Sequence, residues 1–171
     1  GYRGGAKQHV STGDHGALLF AADDSYGAGT GNGLLDNKLL PRQTARMVAN
    51  LIYVALGGAL GAVARYLTGM AAVRVMGHGF PWGTLTVNIV GSFLMGVLVV
   101  ALAELSATRF APLLMTGLLG GFTTFSAFSL DAVALYERGA IGLAAGYVGM
   151  SVVLSLLALA AGMILSRGVF A

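Results

Sequence analysis

The sequence predicts an all-α membrane protein of four transmembrane helices, and three observations carry that prediction. The 171 residues are 56% hydrophobic and only 10% charged, with mean hydropathy +0.79, where soluble domains carry about a quarter charged residues. From Met47 onward, four uncharged apolar runs follow one another, each near or above the lower limit of the roughly 20 residues that take a helix across about 30 Å of hydrocarbon. The 27 glycines suit close helix contacts, because lipid supplies no hydrophobic drive between helices and small residues let backbones approach.

Residues 1–46 stand apart from this pattern. They hold Asp14, Asp23, Asp24 and Asp36 and the only lysines, Lys7 and Lys38. Ser11 to Asn37 is dominated by Gly, Ser, Thr, Asn and Asp without a sustained apolar period, a composition that predicts disorder. The segment lacks the continuous apolar core of about 7 to 15 residues that a signal peptide needs. Because Met47 immediately precedes the first apolar run, residues 1–46 read as a disordered or non-native extension and 47–171 as the four-helix transmembrane domain, with Met47 the expected biological start.

The first run is Met47 to Ala64, followed by Arg65, which reads as a snorkelling residue near the helix end. The second, Gly79 to Ala103, opens on Pro81 and Trp82, a proline suited to a first turn and a tryptophan suited to the headgroup layer. Pro112 opens the third run, Phe110 to Leu130, in the same way, and Gly139 to Ser166 forms the fourth. Arg74, Arg109, Arg138 and Arg167, with Glu104, Asp131 and Glu137, mark the ends of these runs. Gly57/Gly61, Gly117/Gly121 and Gly142/Gly146 are GxxxG pairs on three helices, read as packing motifs.

Charge balance bears on orientation. One side of the four runs carries Arg109 and Arg167, the other Arg74, Arg138 and Arg65. Orientation follows the Lys/Arg bias of short loops, so near equality predicts insertion both ways and permits an antiparallel dimer. Lys38, Arg42 and Arg46 would spoil that balance, which supports Met47 as the start. The same scattered arginines, without a basic run or aromatic stripe, leave no footprint for nucleic acid. The chain has no cysteine, so disulfides and thiolate metal sites are excluded.

The candidate site is Gly120-Gly121-Phe122-Thr123-Thr124-Phe125-Ser126-Ala127-Phe128-Ser129. Unpaired polar groups in hydrocarbon cost several kcal/mol each, roughly, so these hydroxyls must face a partner helix or a wet pathway. Gly120-Gly121 and Thr123-Thr124 predict a third helix broken near the bilayer midplane, with backbone groups freed for an ion. Phe125 and Phe128, three apart, share a helix face. Asn88, in the middle of the second run, is either an anion donor or an interhelical amide.

Together with Gly83-Thr84-Leu85, Val87-Asn88, Gly91-Ser92-Phe93 and Gly61-Ala62-Val63-Ala64-Arg65-Tyr66, that segment resembles the Fluc/CrcB fluoride channel family, over essentially Met47 to Ala171. The resemblance implies an antiparallel, dual-topology homodimer with two pores in a prokaryotic inner (plasma) membrane. It implies Asn88, Phe125, Phe128, Ser126 and Ser129 as pore residues, Tyr147 and Ser151 beside the pore, and Arg65 at a vestibule. It further implies that the Gly120 and Thr123 carbonyls of two subunits hold a central structural sodium ion; oxygen ligation suits a hard cation. Ala127 stands where the family's phenylalanine box usually has threonine.

The expected function is passive fluoride export, with fluoride, lipid and a second copy of the chain as partners. No nucleotide loop, catalytic dyad or metal-ligand cluster is legible in the four runs, which argues against an enzyme or ATP-driven pump. A proton-coupled small multidrug-type exporter is the alternative, but it needs a titratable midmembrane acid, and Glu104, Asp131 and Glu137 flank the runs. A structural membrane protein is the third reading.

Overall fold

The structure, a computed structural model, describes residues 36–170. The expectation of disorder over Ser11 to Asn37 lies outside these residues, apart from Asp36 and Asn37, which begin a helix. The chain divides into units Gly1–Leu39 and Leu40–Ala171, and the architecture below is that of the second. Its elements are α1 (Asp36–Met76), α2 (Trp82–Glu104), a 3₁₀ turn (Thr108–Phe110), a π-helical segment (Pro112–Leu119), α3 (Gly120–Phe122), α4 (Phe125–Glu137) and α5 (Ile141–Phe170). Among the described residues there is no strand. Four stretches are long and apolar enough to cross a membrane: Gln43–Met76, Trp82–Glu104, Thr108–Glu137 and Ile141–Phe170.

The connections are short and capped by their own backbone. Gly77 ends α1 at φ 81°, a left-handed conformation that costs glycine nothing, and its N–H bonds to the Val73 carbonyl at 2.9 Å. At the end of α4, Gly139 (φ 76°) donates to Tyr136 at 2.9 Å while Ala140 donates to Leu135 at 3.0 Å, the Schellman arrangement that satisfies the last carbonyls. The end of α2 makes the same pair of bonds, Ser106 to Ala103 at 3.1 Å and Ala107 to Leu102 at 2.9 Å, around Ser106 at φ 51°.

Glycine sets the helix spacing. A Cβ at Gly57 would strike the Leu113 carbonyl, and one at Gly61 the Leu118 carbonyl, while Gly117 and Gly121 press back on Gly57 and Gly58. Two of the GxxxG pairs read from the sequence therefore pack against each other, as small-residue contacts do in lipid. The third, Gly142/Gly146, meets nothing within 4 Å. Gly96 and Gly162, not singled out from the sequence, bring α2 and α5 together, each set against a backbone carbonyl of the other helix. Their contact continues at Ser166, whose hydroxyl donates to the Val97 carbonyl at 3.3 Å.

Three boundaries differ from expectation, the first being the start of α1 at Asp36, ahead of Met47 and within the segment expected to be disordered. α1 continues through Arg65 to Met76 instead of ending near Ala64; arginine is a good helix former, and apolar residues resume beyond it until Gly77. The third span likewise passes Leu130 and Asp131 and ends at Glu137. Charge marked an interface in the sequence, but a single charge on a long helix need not end it.

Candidate functional site

Asn88 brackets one residue of the third span, Thr124, with two hydrogen bonds. Its Nδ2 donates to the Thr124 carbonyl at 3.0 Å, and the Thr124 N–H donates to its Oδ1 at 2.8 Å. The pair fixes the amide's orientation, because a flipped amide would set donor against donor. Thr123 and Thr124 are extended (φ −81°, ψ 160° and φ −156°, ψ 122°) between α3 and α4. The Thr124 hydroxyl then caps α4, accepting the Ala127 N–H at 3.2 Å, the role for which an N-cap threonine is favoured.

Which carbonyls lose their donors follows from these bonds. In an unbroken α-helix the Thr124 N–H would bond to Gly120 and the Ala127 N–H to Thr123. Asn88 takes the first donor and the Thr124 hydroxyl takes the second. The Gly120 and Thr123 carbonyls are thereby released from helical pairing. They are the two oxygens that the resemblance assigns to sodium, and neutral carbonyls are suitable ligands for a hard cation. The Thr123 side chain turns back instead, its hydroxyl donating to Leu119 at 2.9 Å.

The aromatic residues form a connected row. Phe125 and Phe128 have ring centroids 5.4 Å apart, Phe128 and Tyr147 5.5 Å, and Tyr147 and Phe80 5.5 Å edge-on. Burial separates the first pair: Phe128 is 9% exposed and Phe125 is 78% exposed. Tyr147 is fully buried and donates its hydroxyl to Asp131 at 3.2 Å. Asp131 thus meets a side chain of α5, which its sequence position at an apolar run's end did not disclose.

The serines divide by their partners. Ser129 donates to the Phe125 carbonyl at 3.0 Å, so its proton is committed to its own helix. Ser126 is exposed and lies 3.3 Å from the Thr124 hydroxyl. Ser155 has a buried hydroxyl oxygen without a hydrogen-bond partner, whereas the Ser151 hydroxyl interacts with that of Tyr147. Ser155 was missed in the sequence; the available signal was the spacing Tyr147, Ser151, Ser155, which places three hydroxyls on one helix face. A buried donor without a partner is rare, and Ser155 sits on the helix that carries Tyr147.

Arg65 is half-buried in the course of α1 rather than at its end. It lines a cavity of about 320 Å³ together with Thr84, Val87, Thr124 and Ala127. A second cavity, of about 330 Å³, is bordered by His78, Phe80, Trp82, Thr84, Asp131 and Arg138. Thr84 borders both. The site therefore joins Asn88, Thr124, the phenyl pair and Tyr147, while Arg65 reaches it only through the first cavity.

A family model described as CrcB-like protein, Camphor Resistance (CrcB), matches residues 52–163. The fluoride-specific ion channel FluC of Cereibacter sphaeroides (strain ATCC 17029 / ATH 2.4.9) is 67% identical over 122 residues, covering 71% of this chain and 98% of that protein. That of Ruegeria sp. (strain TM1040) is 57% identical over 124 residues, covering 72% and 98%. That of Agrobacterium fabrum (strain C58 / ATCC 33970) is 56% identical over 123 residues, covering 71% and 98%.

Proposed function

This chain belongs to the CrcB-like protein family, and from that membership we propose that it is a fluoride-selective channel that lets cytoplasmic fluoride leave passively across the plasma membrane. The observation that carries the reading is that relatives named fluoride-specific ion channels match it over 98% of their own length. A channel carries out no covalent chemistry, so the protein is not an enzyme. An inside-negative potential favours anion exit by about 2.3 kcal/mol per charge per 100 mV, so no coupled energy source is needed.

The pore residues would act by replacing water. A phenyl ring is electropositive at its edge, so Phe125 and Phe128 offer a small hard anion partial compensation without a full charge to trap it. The second N–H of Asn88 Nδ2 and the hydroxyls of Ser126, Ser151 and Ser155 would add donors; Tyr147 and Ser129 shape the path while their protons serve Asp131 and Phe125. Conduction needs binding that offsets dehydration yet permits release, and neutral donors meet both demands. Arg65 would raise the local anion concentration by its charge.

The break at Thr123–Thr124 would lie near the bilayer midplane, and two oppositely inserted copies would cross there. Phe125, 78% exposed in one chain, is the ring that a second copy would cover. Two released carbonyls per chain, Gly120 and Thr123, give four oxygens in such a pair, where a bound sodium ion would supply the positive charge that satisfies them. The test is fluoride efflux from liposomes containing the purified protein, read with a fluoride electrode. Fluoride should leave, chloride should stay, and a pH gradient should not change the rate; vesicles that retain fluoride would refute the proposal.

A further inference from the structure

The first half of the third span is wound differently from the other spans. Pro112–Leu119 is a π-helical segment of eight residues, and π turns are rare, mostly single, and frequent at functional sites. It packs on α1 backbone to backbone. A Cβ at Gly57 would meet the Leu113 carbonyl and the Leu118 nitrogen, five residues apart as in a π turn. One at Gly61 would meet the Leu118 carbonyl and the Phe122 nitrogen, four apart as in an α turn.

The change of winding leaves one carbonyl without a donor. The Gly120 N–H bonds five residues back to Met115 and three back to Gly117. α winding resumes at Gly120, so the Gly121 N–H reaches Gly117, and Thr123 donates four back to Leu119 at 2.9 Å. The Thr116 carbonyl, which an α-helical Gly120 N–H would have satisfied, is passed over. Thr116 is exposed, and among the described residues its hydroxyl has no hydrogen-bond partner. The hydroxyls of Thr68 and Thr123, by contrast, turn back onto carbonyls of their own helix. Hydrocarbon offers such a carbonyl nothing, so a polar occupant has to meet it.

Thr116 and Gly120, four apart and both exposed, lie one turn apart on one helix face. That face presents the Thr116 carbonyl, the lone pairs of its hydroxyl and the released Gly120 carbonyl, all of them neutral oxygens that suit a hard cation. Residues 105–130 contain no carboxylate, and among the described residues no three His, Cys, Asp or Glu come together. A divalent ion gives up its water reluctantly, so neutral oxygens alone favour a monovalent one. The turn of about 5.4 Å between the two carbonyls exceeds twice a hard cation's oxygen contact of about 2.3–2.6 Å, so one ion cannot touch both.

We propose that the Thr116 carbonyl and hydroxyl form a separate binding position for a monovalent alkali cation, one turn before Gly120. There an ion sheds part of its water on the way to the central four oxygens; this staging role rests on the sodium reading given above, whereas the Thr116 position does not.

The test follows melting of the full chain in detergent as sodium chloride replaces N-methylglucamine chloride at constant ionic strength. Cations that bind only the folded state raise stability with the logarithm of their concentration. The full chain should therefore show a slope that steepens once the two-oxygen position at Thr116 fills. Thr116→Val keeps the carbonyl and loses the hydroxyl, so the steepening should move to about threefold to tenfold higher sodium, the worth of one neutral polar contact. Deletion of Thr116 leaves Leu113 and Leu118 four apart, the spacing that Gly61 already accepts at Leu118 and Phe122, and should abolish the steepening. Should the deletion fail to fold, the shift in Thr116→Val decides alone. One unsteepened slope in the full chain, or a steepening that Thr116→Val leaves in place, would overturn the proposal and leave the sodium reading standing. No response to sodium in any chain would overturn both.

Discussion

Replacing Asn88 by aspartate separates the two roles that the amide combines. The variant keeps an oxygen to accept the Thr124 N–H, now at 2.8 Å, but removes the N–H that reaches the Thr124 carbonyl at 3.0 Å. One interhelical hydrogen bond in a membrane protein is worth about 0.5–2 kcal/mol, and the new carboxylate oxygen also faces the Thr124 carbonyl acceptor against acceptor, so melting in detergent should fall by more than the lost bond alone while the bond from the Thr124 N–H is kept. The effect on the anion is larger. A carboxylate about 4 Å from a passing fluoride, at an effective dielectric of about 20, repels it by about 4 kcal/mol, or about a thousandfold in rate. Asn88→Ala provides the control, losing both bonds without adding charge. Fluoride-electrode efflux should rank wild type above Asn88→Ala and Asn88→Ala far above Asn88→Asp. Efflux from Asn88→Asp within tenfold of wild type would place the anion path away from this residue and refute the reasoning.

The remaining predictions use the same liposome assay with a stability readout beside it. Phe125→Ile keeps apolar bulk but removes the ring edge, so efflux should nearly vanish while gel filtration still shows the native assembly; unimpaired efflux would count against the phenyl pair. Ser155→Ala removes a buried hydroxyl that has no partner, so it should leave melting unchanged or raised, at most by about 1–3 kcal/mol of relieved desolvation, while slowing efflux several-fold. Gly61→Ala should destabilise by about 1–3 kcal/mol of overpacking because its Cβ meets the Leu118 carbonyl, whereas Gly58→Ala meets nothing within 4 Å and should be neutral or stabilising. Ser106→Gly should raise the melting temperature modestly, since serine at φ 51° pays a left-handed cost of about 1–2 kcal/mol, partly offset by the entropy of glycine.

Much of the helical organisation was legible because lipid imposes a simple rule: a span must be long and apolar. The four runs starting near Met47, Pro81, Phe110 and Gly139 correspond to the four spans, whereas glycine spacing did not disclose that Gly57/Gly61 meets Gly117/Gly121 while Gly142/Gly146 meets nothing within 4 Å. The course of α1 beyond Arg65 was not legible, because a charged residue that borders an apolar run looks the same whether the helix stops or continues. Of the site, Phe125, Phe128 and Asn88 were named as candidates through the family resemblance, and the structure sets the two rings 5.4 Å apart and Asn88 on Thr124. The two Asn88 bonds to Thr124, the Tyr147 bond to Asp131 and the unpaired Ser155 hydroxyl were not legible, since each depends on contacts made across helices or left unmade.

The two readings of Asn88 that the sequence left open, interhelical amide and anion donor, are compatible in this geometry. A side-chain amide has one acceptor and two donors. Thr124 uses the oxygen and one N–H, which leaves one donor for a ligand. Structural engagement thus orients that remaining donor instead of consuming it, and an amide locked at both atoms cannot swing away when an anion passes. The same engagement takes the Thr124 N–H from Gly120, and the Thr124 hydroxyl takes the Ala127 N–H from Thr123. One side chain on α2 and one hydroxyl at the start of α4 therefore account together for the interruption, for the two released carbonyls and for the fixed amide donor. Aspartate at position 88 keeps the acceptor that maintains the interruption and reverses the polarity of the donor, so its efflux and its melting behaviour should part company.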